Sequence, residues 1–248
     1  MKQDEPKIEI SFDHVSFSYG NISVLKDISF QIPVGEFVGV IGPNGAGKTT
    51  ALKLMIGVLT ADSGSVQIAG SVPNEAIQKS FIGYVPQHAA QKELTFPATV
   101  EEVVASGCEF TTRNAHEIQH RVSSALEACS ISKLRHQLIT NLSGGQRQRA
   151  LIARAIALEP RILLLDEPEA GVDTASEKEF YALLKEINST KKTTIVMISH
   201  NIDAISEVVS SIVCINRNMT CHIESKDFHE NETLRRLYEG ESHIHHHH

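Results

Sequence analysis

Residues 42–49 read Gly42-Pro43-Asn44-Gly45-Ala46-Gly47-Lys48-Thr49 and fit the pattern GxxxxGKT. No other stretch of the chain limits its folding choices so strongly. Glycines let the backbone curl until successive amides face one phosphate group, and a helix beginning near Thr49 adds its positive end. In such a loop Lys48 reaches the β and γ phosphates, and the Thr49 hydroxyl ligates Mg²⁺. The flanks suit the loop: the apolar run Phe37–Ile41 precedes it and a helical pattern over residues 49–57, including Thr50, follows. A strand-loop-helix unit requires a buried strand beneath the loop. The loop alone implies nucleoside triphosphate binding and nothing narrower.

Two further motifs extend the site. Ile162-Leu163-Leu164-Leu165-Asp166-Glu167-Pro168 is an apolar strand ending in two acids. A buried strand brings its last carboxylate to a bound ion, so Asp166 is the expected Mg²⁺ holder. Glu167 points elsewhere and suits polarisation of an attacking water. Leu142-Ser143-Gly144-Gly145-Gln146-Arg147-Gln148-Arg149 precedes a helix. Ser143 can cap that helix, and Gly144 and Gly145 expose amides at its positive end. One nucleotide rarely needs two phosphate-grade sites. The economical reading gives this second site to the γ-phosphate held by another copy of the chain.

The surrounding pattern is α/β. Alternating runs at residues 8–12, 15–19 and 28–32 predict strands, with turns at Gly20-Asn21 and Pro33-Val34-Gly35. Strands are expected at 37–41, 64–69 and 82–85, then at 161–166, 193–199 and 212–216, with helices at 174–189 and 201–209. Residues 88–157 change character. Thr99 can cap a helix opening Val100-Glu101-Glu102, and amphipathic helices are expected at 116–128 and 143–158. This stretch reads as a helical lobe inserted into a parallel-sheet body.

Composition excludes several function classes. Lys plus Arg is 23 against 30 Asp plus Glu, a net charge of −7. A non-specific nucleic-acid binder usually carries the opposite sign. No stretch approaches the roughly 18 apolar residues that span a bilayer. The polar first six residues show no apolar signal core. Cys108, Cys129, Cys214 and Cys221 form no CxxC spacing, which predicts reduced thiols. Of the 13 histidines, five lie in the last six residues, as His243, His245, His246, His247 and His248. Imidazoles at that density bind Zn²⁺, Ni²⁺ or Cu²⁺. A purification tag is the competing reading of the same residues.

Taken together, GPNGAGKT, LSGGQ, LLLDEP and a later histidine resemble the ATP-binding subunit of an ABC transporter, over about residues 8–238. The resemblance implies a P-loop NTPase fold with a parallel core sheet. It adds an N-terminal antiparallel β subdomain and an inserted α-helical subdomain at about 88–157. Residues 1–240 would form one ATP-binding domain, and 241–248 a His-rich tail. ATP and Mg²⁺ are the implied cofactors. The resemblance assigns Tyr19 to adenine stacking and Gln87, after Gly83-Tyr84-Val85-Pro86, to Mg²⁺ or water and to relay toward the membrane subunit. Asp173, in Ala170-Gly171-Val172-Asp173, matches the loop that follows the catalytic acid, and His200, after Ile198-Ser199, matches the γ-phosphate switch. One departure is Glu169, where the family commonly has Thr or Ser.

Phe96-Pro97-Ala98-Thr99-Val100 and Val103-Val104-Ala105-Ser106-Gly107 are similar to zinc and manganese importers, and the segment around Cys214 to His222 resembles bacterial zinc importer ATPases. This implies an ATPase on the cytoplasmic membrane face, working as a homodimer with a membrane permease and a solute-binding protein, without nucleic acid. Zinc is the expected cargo, with manganese, iron, haem or an iron chelate as alternatives. A soluble ABC ATPase is disfavoured by the single cassette, and a metal-binding module acting through the tail is the remaining alternative.

Overall fold

The computed structural model describes residues 7–79, 81–87, 89, 97–108, 112, 114–169, 174–217 and 219–230. In chain order the strands are β1 (Ile8–Tyr19), β2 (Ile22–Pro33), β3 (Phe37–Ile41), β4 (Ser63–Ile68), β5 (Ile82–Val85), β6 (Ile162–Asp166), β7 (Thr194–Ile198), β8 (Ser211–Asn216) and β9 (Met219–Glu224). The helices are α1 (Lys48–Met55), α2 (Pro73–Gln78), α3 (Val100–Ser106), α4 (Ala115–Ala128), α5 (Gly144–Ile156), α6 (Thr174–Lys191), α7 (Ile202–Ser206) and α8 (Ser225–Glu230). The described residues form two compact units, one before residue 80 and after 193, the other between.

In the first unit, β1 is the middle strand of an antiparallel sheet ordered β2-β1-β4. The runs 8–12 and 15–19 are a single strand rather than two. The register shifts between Phe12 and Val15, and His14 takes a φ of 50° there. The bulge inserts an extra residue and resets the alternation, so Ile10, Phe12, Val15 and Phe17 are all buried. Phe12 stacks on Phe30 across the pair at 4.5 Å.

The same unit holds β3 between β7 and β8, parallel to both, with β9 antiparallel to β8. Every residue of β3 and β7 is buried. This is why these strands read as unbroken apolar runs rather than alternating ones.

In the second unit β5 pairs with β6 in parallel, Gly83 opposite Leu163. Helices α3 and α4 pack on α5, whose inward face is Ala150, Leu151, Ile152, Ala153, Ala155 and Ile156. Thr99 caps α3 as expected, and the Glu102 carboxylate accepts in return from the Thr99 amide at 2.7 Å. The architecture is thus α/β, with parallel strands and an antiparallel sheet.

Further details differ from the sequence expectations: β2 begins at Ile22, six residues before the run expected at 28–32. Helix α7 ends at Ser206 instead of 209, and α2, β9 and α8 were not anticipated. Each of those three has six residues, too short for a hydrophobic period to emerge. Among the described residues, no helix is long and apolar enough to cross a membrane.

Candidate nucleotide site

The phosphate loop lies in the first unit, between β3 and α1. Gly47 is the N-cap of α1 at φ 101°, and a Cβ there would stand 2.5 Å from Leu25 Cδ2. Both the left-handed conformation and the crowding require glycine. The first turn of α1 contains no acid, so its positive end is left unopposed for an anion. Lys48 is buried, and its Nζ donates to the Gly42 carbonyl at 2.6 Å and the Pro43 carbonyl at 3.0 Å. The ammonium therefore lies over the loop it belongs to. Asn44 and Gly45 are exposed, Ala46 and Thr50 buried, and Thr49 half-buried.

Two more expected residues belong to this unit. Tyr19 ends β1, 46% exposed, with its ring edge-on to Phe17 at 4.9 Å. His200 is exposed directly after β7, while the neighbouring Ser199 hydroxyl accepts from the Asn201 amide at 3.0 Å.

The second unit carries the acids. Asp166 ends β6 and is 2% exposed. Glu167 takes a φ of 49°, a conformation unfavourable for a residue with a Cβ and concentrated at functional positions. Gln87, just beyond β5, donates through Nε2 to the Glu167 carboxylate at 2.5 Å. The parallel pairing of Val85 with Leu165 brings these two strand ends together. Gln87 thus holds the oxygen that a water-polarising carboxylate would use.

Ser143 caps α5, the Gln146 amide donating to its hydroxyl at 3.3 Å. The Gln146 side-chain oxygen accepts from the Ser143 amide at 3.0 Å. This reciprocal bond was missed in the sequence, although Ser-x-x-Gln is itself the signature of a capping box. It fixes the turn from which Gly144 and Gly145 present their amides. Asp173 and the histidines at 243 and 245–248 lie outside the described residues.

Residues 25–170 match the ABC transporter family. The chain belongs to that family. As an ABC transporter ATP-binding subunit it binds ATP and is an ATPase. It is similar to the zinc uptake system ATP-binding protein ZurA of Listeria innocua, 39% identical over 215 residues, 85% of this chain and 83% of that one. It is similar too to the high-affinity zinc uptake system ATP-binding protein ZnuC of Bacillus subtilis, 37% identical over 84% of this chain and 91% of the relative. Among solved structures, cbiO1 of Clostridium perfringens, part of the ABC transporter complex cbiONQ, aligns at a TM-score of 0.84. Its identity is 26%, and the alignment covers 96% of each chain.

Proposed function

We propose that this ABC ATPase powers uptake of a divalent metal ion, zinc, through a permease to which it binds on the cytoplasmic membrane face. A solute-binding protein would deliver the metal. The observation that carries the catalytic half is the Gln87–Glu167 hydrogen bond at 2.5 Å. It joins the expected water-polarising acid to the expected relay glutamine. The cargo rests on the zinc uptake systems named above.

The residues divide the work as follows. The Gly42–Thr50 loop amides and Lys48 bind the β and γ phosphates, and Tyr19 stacks on adenine. Thr49, Asp166 and Gln87 offer a hydroxyl, a carboxylate and an amide oxygen. These are hard oxygen donors of the kind Mg²⁺ prefers. Bound there, Mg²⁺ would neutralise charge on the phosphates. Glu167 takes the proton of the attacking water, and His200 contacts the γ-phosphate. The Ser143–Gln146 turn closes over ATP held by a second copy, so two chains sandwich two nucleotides. Residues of about 88–157 form the helical subdomain that passes the motion to the permease.

Replacing Glu167 by Gln tests the chemistry. Hydrolysis should fall by about 10²–10⁴-fold, the usual worth of a positioned base, while ATP binding persists and a dimer accumulates on gel filtration. Hydrolysis at the wild-type rate would sink the assignment. Deleting the gene tests the cargo: growth should fail in zinc-chelated medium and return with added zinc. Rescue by manganese or iron alone would redirect the cargo and leave the ATPase reading intact.

A further inference from the structure

We propose that Cys214 and Cys221 are a thiol modification site, joined by hydroperoxides into a reversible cross-strand disulfide that slows ATP hydrolysis. The two lie seven positions apart, a spacing that suggests no pairing in the sequence. The β8–β9 register sets them directly opposite each other. Opposed residues of an antiparallel pair have Cα atoms about 4.5–5.5 Å apart, inside the range of about 4.4–6.8 Å that a disulfide spans. The bond therefore needs side-chain rotation and little backbone movement.

Cys221 also differs from the other thiols in accessibility and acidity. Cys108, Cys129 and Cys214 are buried, whereas Cys221 is half-buried. The Cys214 thiol and backbone N–H both donate to the Cys221 sulfur, which lowers its pKa to about 7 against the opposing effect of burial. Burial pushes the Cys129 thiol up to about 12. Thiolates, not thiols, react with peroxides. An oxidant thus meets one reactive sulfur, with its resolving partner across the ladder.

The chemistry balances with hydrogen peroxide, the simplest hydroperoxide, as oxidant. The Cys221 thiolate attacks one peroxide oxygen, forming an S–O bond as the O–O bond breaks. The departing hydroxide takes a proton and leaves as water. Cys214 then attacks the Cys221 sulfur, the S–S bond forms, the S–O bond breaks, and a second water carries away the Cys214 proton. Two thiols lose two electrons and one peroxide gains them.

The hairpin is built against the phosphate loop. Cys214 pairs with Ile41, the residue before Gly42. The carbonyl of Ile215 occupies the space a Cβ on Gly42 would need. The Arg217 amide donates to the Ala46 carbonyl at 3.3 Å. A staple between β8 and β9 would restrain the strand that carries the Ile215 carbonyl, and so stiffen the backbone against which the phosphate loop is built.

The test treats the full-length protein with hydrogen peroxide at equimolar to about tenfold excess. The four thiols should fall to two on titration after denaturation. Peptide mass spectrometry should find Cys214 linked to Cys221 with the loss of two hydrogens. ATP hydrolysis should drop several-fold and recover on adding dithiothreitol. The Cys214→Ser/Cys221→Ser double variant should hydrolyse ATP normally and ignore peroxide. Retention of all four thiols, or linkage through Cys108 or Cys129, overturns the site. A Cys214–Cys221 bond with unchanged hydrolysis overturns its coupling to the loop. The wild-type readouts stand even where the double variant folds poorly.

Discussion

Gly83 and Gly39 both sit inside buried strands, yet the space around them differs in kind. A Cβ on Gly83 would lie 2.7 Å from the Ala155 backbone carbonyl, which belongs to α5 and cannot rotate away. A Cβ on Gly39 would meet Ile205 Cδ1 at 3.1 Å, the mobile end of a side chain. Overpacking against backbone costs about 1–3 kcal/mol. We therefore expect Gly83→Ala to lower the melting temperature by several degrees and Gly39→Ala to lower it distinctly less. Differential scanning calorimetry of the two variants checks this, and equal losses would contradict it. Glu167 shows the opposite use of backbone. There an unfavourable φ is retained, and it aims a carboxylate at Gln87.

Helix ends carry much of the local order. The Thr99 hydroxyl and the Glu102 carboxylate satisfy each other's backbone amides at the start of α3. Thr99→Ala should cost about 0.5–2 kcal/mol in urea unfolding, and Thr99→Ser should restore most of it. In the first turn of the same helix, Glu101 accepts from the guanidinium of Arg135, which lies outside the helix, at 2.5 Å; this holds the carboxyl below its ordinary value of 4.5, with His136 adding a weaker pull. A depressed carboxylate pKa stabilises the fold above the unfolded value, and the gain disappears as pH falls through the folded one. Glu101→Gln should therefore be less stable than wild type at pH 7. The gap should narrow from about pH 4.5 downward, the ordinary carboxyl value that binding to Arg135 depresses. Melting curves at stepped pH test this, and a gap that widens in acid would reverse the sign.

At the scale of the whole molecule, the chain carries a net charge of −7, and among the described residues no helix is long and apolar enough to cross a membrane. ATP binds the folded chain and not the unfolded one, so it stabilises by mass action. In the Glu167→Gln background, where turnover is expected to be slow, MgATP at 100 times its Kd should add about 2.7 kcal/mol. Lys48→Ala in the same background should remove most of that gain. A thermal shift unchanged by Lys48→Ala would take this lysine out of the proposed phosphate contacts. Truncation after residue 242 should leave ATP hydrolysis unaltered, as measured by phosphate release, since the tail is assigned no part in the chemistry.

Much of this was readable before any fold was known, because it is local. The turn at Gly20-Asn21, the buried runs Phe37–Ile41 and Ile82–Val85, the phosphate loop, and the caps Thr99 and Ser143 each depend on a few neighbouring residues. Their backbone preferences and hydrophobic periods are complete within one segment, so the sequence by itself determined them. It equally determined the family, through motifs that are contiguous. The tertiary structure alone decided what depends on register. Gln87 and Glu167 are 80 positions apart and meet because two parallel strands end level. Cys214 faces Cys221 because of where the β8–β9 hairpin turns. The break expected in β1 became a bulge because pairing on both sides rewarded one continuous strand. Such meetings arise from the packing of distant segments, and no window along the chain contains both partners.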